Sequence, residues 1–63
     1  MNDEEKLWFL GKTVCLSAAM VSLGHRADSA KVINVSPAET FCLMLEFRDG
    51  IWLKAHPNMI IVL

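Results

Sequence analysis

The chain has 63 residues, 54% of them apolar and 21% charged, and six Lys and Arg against seven Asp and Glu give a net charge of −1. A chain of this size folds as one domain, residues 1–63, and buries only about 60% of the surface its unfolded form exposes. That excludes a multi-part enzyme with separate substrate and cofactor domains. It also excludes a disordered tail, and the near-neutral charge argues against a protein that coats nucleic acid by charge alone.

The longest stretch free of Asp, Glu, Lys and Arg runs from Thr13 to His25, short of the roughly 20 apolar residues of a membrane helix. The start carries Asp3, Glu4 and Glu5 where a secretory signal is basic. The expectation is therefore a cytoplasmic chain without membrane association. Two cysteines, Cys15 and Cys42, are too few for a disulfide scaffold and suit a reducing compartment.

In chain order, residues 2–10 read as a short helix. Asn2 is the cap, Glu5 three positions later completes a capping-box pattern, and the three acidic residues sit where the helix dipole favours them. Gly11 supplies the stop. So short a helix must dock its apolar end, Leu7-Trp8-Phe9-Leu10, on its own domain or on a partner chain, the first being favoured. From residue 12 onward the pattern is β. Lys12–Ser17 is expected as a strand followed by a solvated loop, Ala18–Ser29, with a helix over 13–24 as the competing reading. Ala30–Val35 is rich in β-branched residues and ends at the turn Ser36-Pro37-Ala38-Glu39.

Residues 40–47 alternate, with Phe41, Leu43, Leu45 and Phe47 on one face. Arg48-Asp49-Gly50 then leads into Ile51–Ala55, and Asp-Gly between two such runs is a strong hairpin signal. A two-residue loop would pair Leu45 with Lys54 and put a charge on the core face. A three-residue loop pairs Phe47 with Ile51 and Leu45 with Leu53, gathers Phe41, Leu43, Leu45, Phe47, Ile51, Leu53 and Ala55 on one side, and gives Gly50 the left-handed position of a G1 bulge. The three-residue loop is the expected one. His56-Pro57-Asn58 breaks the ladder before a last apolar strand, Met59–Leu63.

Short strands, a long first loop, an Asp-Gly hairpin and a one-turn link before a final strand together resemble the SH3-like small barrels. Ala30–Leu63, with Phe47-Arg48-Asp49-Gly50 and Met59-Ile60-Ile61, is similar to Tudor and KOW domains, and more distantly to Sm and Hfq-like proteins, which begin with a short helix. The resemblance covers about half the chain and implies an all-β, SH3-like barrel of about five strands (12–63) behind a short N-terminal helix. Departures are the absence of Tyr for an aromatic cage, the missing glycine and asparagine of the first Sm motif, and the length of 18–29.

Chemistry-bearing patterns are sparse. Cys15, His25, Cys42 and His56 lack the close pairing of structural zinc ligands. Ser17, His25 and Asp28 lack a nucleophile elbow and an oxyanion-hole glycine run, and Gly11 and Gly24 make no phosphate loop. No catalytic residue, metal or cofactor is expected. More informative is the outward face of the hairpin, where alternation puts Cys42, Met44, Glu46, Trp52, Lys54 and His56. Met44, Trp52 and Cys42, with Trp8 of the N-terminal segment, are the candidate interface. The final strand adds an open edge. The expected function is a non-enzymatic binding or assembly module, a homo-oligomer (dimer or ring) with scope for another protein partner. The alternative is a small RNA- or DNA-binding barrel using Lys31, Arg48, Lys54 and His56, with Trp52 stacking a base.

Overall fold

The computed structural model describes residues 2–63. The elements are α1 (Asp3–Leu7), β1 (Thr13–Leu16), α2 (Ala18–Ser22), β2 (Ser29–Val35), β3 (Leu43–Phe47), β4 (Trp52–Ala55), a 3-10 turn (Pro57–Met59) and β5 (Ile60–Val62). The strands make one antiparallel sheet in the order β4-β3-β2-β1-β5. Strands β1 to β4 meander, each antiparallel to the next. The chain then returns so that Val14 and Leu16 of β1 lie opposite Val62 and Ile60 of β5. The sheet is open, with β4 and β5 at its edges.

α1 begins as expected: the Asn2 side-chain oxygen accepts from the Glu5 N–H at 2.9 Å, which satisfies one of the free donors of the first turn. It ends early, and turns carry the chain to Gly11, whose N–H donates to Val32 O at 2.9 Å. Of the apolar end, one residue docks on the core. Phe9 is buried in the core, while Leu7, Trp8 and Leu10 are about half exposed.

The core is Val14 and Leu16 of β1, Ala30 and Val32 of β2, Leu43, Leu45 and Phe47 of β3, Ala55 of β4, with Phe9 and Cys42. Alternate positions of each strand supply it, because successive side chains point to opposite faces. β2 would run out of register after Val32 without its bulge. Val32 faces Leu45 and Asn34 faces Met44, so Ile33 is an extra residue. The bulge bends and twists the strand and lets the half-buried Val35 pack against the same core as Val32.

The hairpin has the expected three-residue loop. The Phe47 N–H donates to Ile51 O and the Gly50 N–H to Phe47 O, both at 2.9 Å, and Leu45 lies opposite Leu53. Gly50 has φ +82°, and a Cβ there would meet nothing within 4 Å. The cost of a side chain at this position is therefore purely conformational. Gly50→Ala is expected to destabilise by about 1 kcal/mol, and a thermal melt unchanged by it would contradict this turn.

Three expectations are corrected. Phe41 is 52% exposed and Cys42 only 2%, the reverse of the alternation read from residues 40–47. β3 starts at Leu43, and the bends before it turn Cys42 and Leu43 both inward. The Cys42 carbonyl is used by the Ser36 N–H at 2.8 Å. Ile51 is 56% exposed, because it belongs to the turn and stands at the outer edge of the sheet, where nothing packs beyond it. Residues 18–29 are not a plain loop: they hold α2, whose Met20 packs on the core. Of the competing helix over 13–24 only Ala18–Ser22 forms, since Thr13–Leu16 is committed to two neighbouring strands.

Candidate interaction surface

The outward face of the sheet is built from the residues between the core positions. One cross-strand row reads Trp52, Glu46, Lys31, Thr13 from β4 to β1, and the next reads Lys54, Met44, Asn34. Met44 and Trp52 are thus diagonal neighbours on adjacent strands, within reach of each other's long side chains. Trp52 is 61% exposed, and its indole N–H donates to Glu46 Oε2 at 2.8 Å. With the one polar group of the ring satisfied, what remains exposed is apolar surface. Met44 is half-buried.

Of the four candidate interface residues, Met44 and Trp52 share this face, and Cys42 does not, because it turns into the core. Trp8 belongs to a second exposed apolar stretch. Its ring packs edge-on against Phe9 at 5.2 Å and carries the Lys12 ammonium 4.5 Å from its centre. α1 does not shield Trp52; its Lys6 ammonium instead reaches Pro37 O at 2.8 Å, at the β2–β3 turn.

The four candidate nucleic-acid contacts divide. Lys31 and Arg48 line one shallow groove with Thr13, Ser29 and Glu46. Lys54 is paired with Glu39 at 3.3 Å. His56 lies in a separate groove with Lys6, Pro57 and Asn58.

Sequence reasoning finds in Arg26 a basic residue but not its ion pairs. Its Nε and Nη2 each donate to one oxygen of Asp28 at 2.6 Å, and its Nη1 donates to both oxygens of Asp49 at 3.2 and 3.0 Å. The guanidinium carbon also sits 4.1 Å from the centre of the Phe47 ring. This fork-to-carboxylate geometry with a stacked cation ties the 23–28 connection to the β3–β4 hairpin. Donating to Asp28, and then to Asp49, raises the pKa of the Arg26 guanidinium further above its ordinary value, against some desolvation. The same bonds hold both carboxylates below the usual range. Asp28 is committed to Arg26 rather than to a triad with Ser17 and His25. The only sequence signal was Arg26-Ala27-Asp28, a spacing too common to act on.

Among the described residues, no group of three or more His, Cys, Asp and Glu gathers where a metal could bind, and Cys15 and Cys42 are free thiols. No helix among them is long and apolar enough to cross a membrane. The sheet presents an indole, a thioether and two open strand edges. Comparison with protein-family models, curated proteins and solved structures finds no match for this chain.

Proposed function

We propose that this chain is a non-enzymatic binding or assembly module that works as a homo-oligomer, on a scaffold of the SH3-like small-barrel kind. The observation that carries the reading is the pair of open edges, β4 and β5, each bearing a large exposed apolar side chain, Trp52 at 61% and Ile61 at 50%. Unpaired edge N–H and C=O groups are templates for another strand, and soluble proteins normally blunt them with charge, proline or a covering loop. β5 (Ile60–Val62) carries neither charge nor proline. Order β4-β3-β2-β1-β5 supports the barrel reading, as does the bulge at Ile33 that curls β2.

Light scattering of the wild type is expected to give a multiple of the 7.1 kDa chain mass. Trp52→Glu places a charge that is costly to desolvate in a packed contact, and this variant is expected to run at lower mass. Equal masses for the two proteins would take Trp52 out of the interface; a monomeric wild type would end the assembly reading.

A second reading, a small nucleic-acid-binding barrel, is favoured by one observation, the shared groove of Lys31 and Arg48. It expects salt-sensitive retention of single-stranded RNA or DNA, lost in the Lys31→Ala, Arg48→Ala double variant.

A further inference from the structure

We propose that His56 is a pH-sensitive cap on the turn joining the two open edges, so that its protonation loosens β5 and with it the subunit contact. The part concerning subunits rests on the assembly reading above; the cap itself does not. His56 follows the last residue of β4, and Pro57–Met59 leads directly into β5. The imidazole Nδ1 accepts from the Asn58 N–H at 3.0 Å, while the His56 N–H donates to Met59 Sδ at 3.3 Å. The Met59 N–H in turn donates to His56 O at 2.8 Å, and Met59 O accepts from the Ser17 N–H at 2.8 Å, just past β1. The His56 side chain is thus one of three contacts that close the turn that sets where β5 begins.

An accepting Nδ1 requires the neutral ring with its proton on Nε2. In the imidazolium both nitrogens are donors, so protonation sets N–H against the Asn58 N–H and removes the cap. The surroundings work the same way. The groove around the ring is lined by Lys6 of α1, with Pro57 and Asn58, and no carboxylate joins them. Lys54, two residues back on β4, is paired with Glu39. An added positive charge at His56 would therefore share its groove with Lys6, and among the described residues no carboxylate lines that groove. Histidine is the side chain whose charge ordinarily changes between pH 5 and 8, and Asp28 and Asp49, held low by Arg26, stay ionised across that interval.

The test is thermal melting and light scattering at about pH 7.5 and about pH 5.5, on the wild type, His56→Asn and His25→Ala. Asparagine caps with an oxygen that does not titrate, and the exposed His25 controls for histidine titration elsewhere. The wild type and His25→Ala are expected to melt about 4 °C or more lower at the acidic pH, with His56→Asn showing less than half that fall. A wild type indifferent to pH, or a full fall in His56→Asn, overturns the proposal. Should His56→Asn not fold, amide exchange in the wild type decides: Ile60–Val62 must lose protection at the acidic pH relative to β2 and β3, and unchanged relative rates overturn it. A chain monomeric at both pH values ends the assembly reading while the melts still decide the cap.

Discussion

Replacing Leu45 by alanine is expected to remove about 2–5 kcal/mol of stability. A 63-residue chain has roughly 3–9 kcal/mol in total at typical per-residue values. Leu45 is fully buried in the middle of β3, opposite Val32 on one side and Leu53 on the other. Truncation costs the transfer energy of the lost atoms and leaves a void. β2 and β4 both pack through this layer, so closing the void would mean shifting two ladders at once. The expected result is a melting temperature lower by about 10 °C or more, with much of the chain unfolded near body temperature. Leu23→Ala is the matched control. Its side chain is 78% exposed, and such a change is expected to stay within about 0.5 kcal/mol. Both melts need equal protein concentration, because association would add to apparent stability. Equal effects from the two substitutions would mean that the core has been misassigned.

How much of this was readable in advance depends on whether the deciding interactions are local. The hairpin register was readable because one alternative buried the charge of Lys54, and because Asp49-Gly50 names its own turn. The cap of α1 was readable because Asn2 and Glu5 are three residues apart. Cys42 and Phe41 were misread for the opposite reason. Their orientation depends on where β3 begins, which is fixed by the Ser36 N–H bonding Cys42 O across the preceding turn, not by the alternation of residues 40–47. α2 is legible only as part of the competing helix over 13–24, because a five-residue helix is too short for a periodicity and its cap residue Ser17 makes no side-chain cap bond. For the candidate surface, outward placement of Met44, Glu46, Trp52 and Lys54 followed from strand alternation alone. That Lys54 is neutralised by Glu39, and that Glu46 takes the Trp52 N–H, could not follow, since both need the strands already assembled. Arg26 is the extreme case: its partner Asp49 lies 23 residues away, and nothing in either segment announces the other.

Arg26 is accordingly the site of the other large effect expected. Arg26→Ala removes the bidentate bond to Asp28, both bonds to Asp49 and the cover on one face of Phe47. Phe47 is 2% exposed, so the variant exposes apolar ring surface as well as losing an ion pair. Two carboxylates are left near each other without their shared cation. The expected result is a melt lower by about 5 °C or more and faster proteolysis within residues 23–28, while the β2–β3 amides keep their protection. Arg26→Lys separates charge from shape. A lysine keeps the charge but cannot bridge two carboxylates with a planar fork while stacking on a ring, so it is expected to recover less than half of the loss. The pH dependence has a definite sign. Asp28 and Asp49 are held below their ordinary range by Arg26, so the unfolded chain takes up protons first as pH falls. The contribution of the pair is complete above the ordinary carboxylate range, near pH 4, and is lost as pH falls through the depressed folded values. Arg26 stays charged throughout, its own value being raised. The wild-type melt is therefore expected to drop more steeply than that of Arg26→Ala below about pH 4, the two converging in acid. Parallel curves down to the lowest pH at which both fold would show that the Arg26 carboxylate bonds contribute nothing to the fold, leaving only its packing on Phe47.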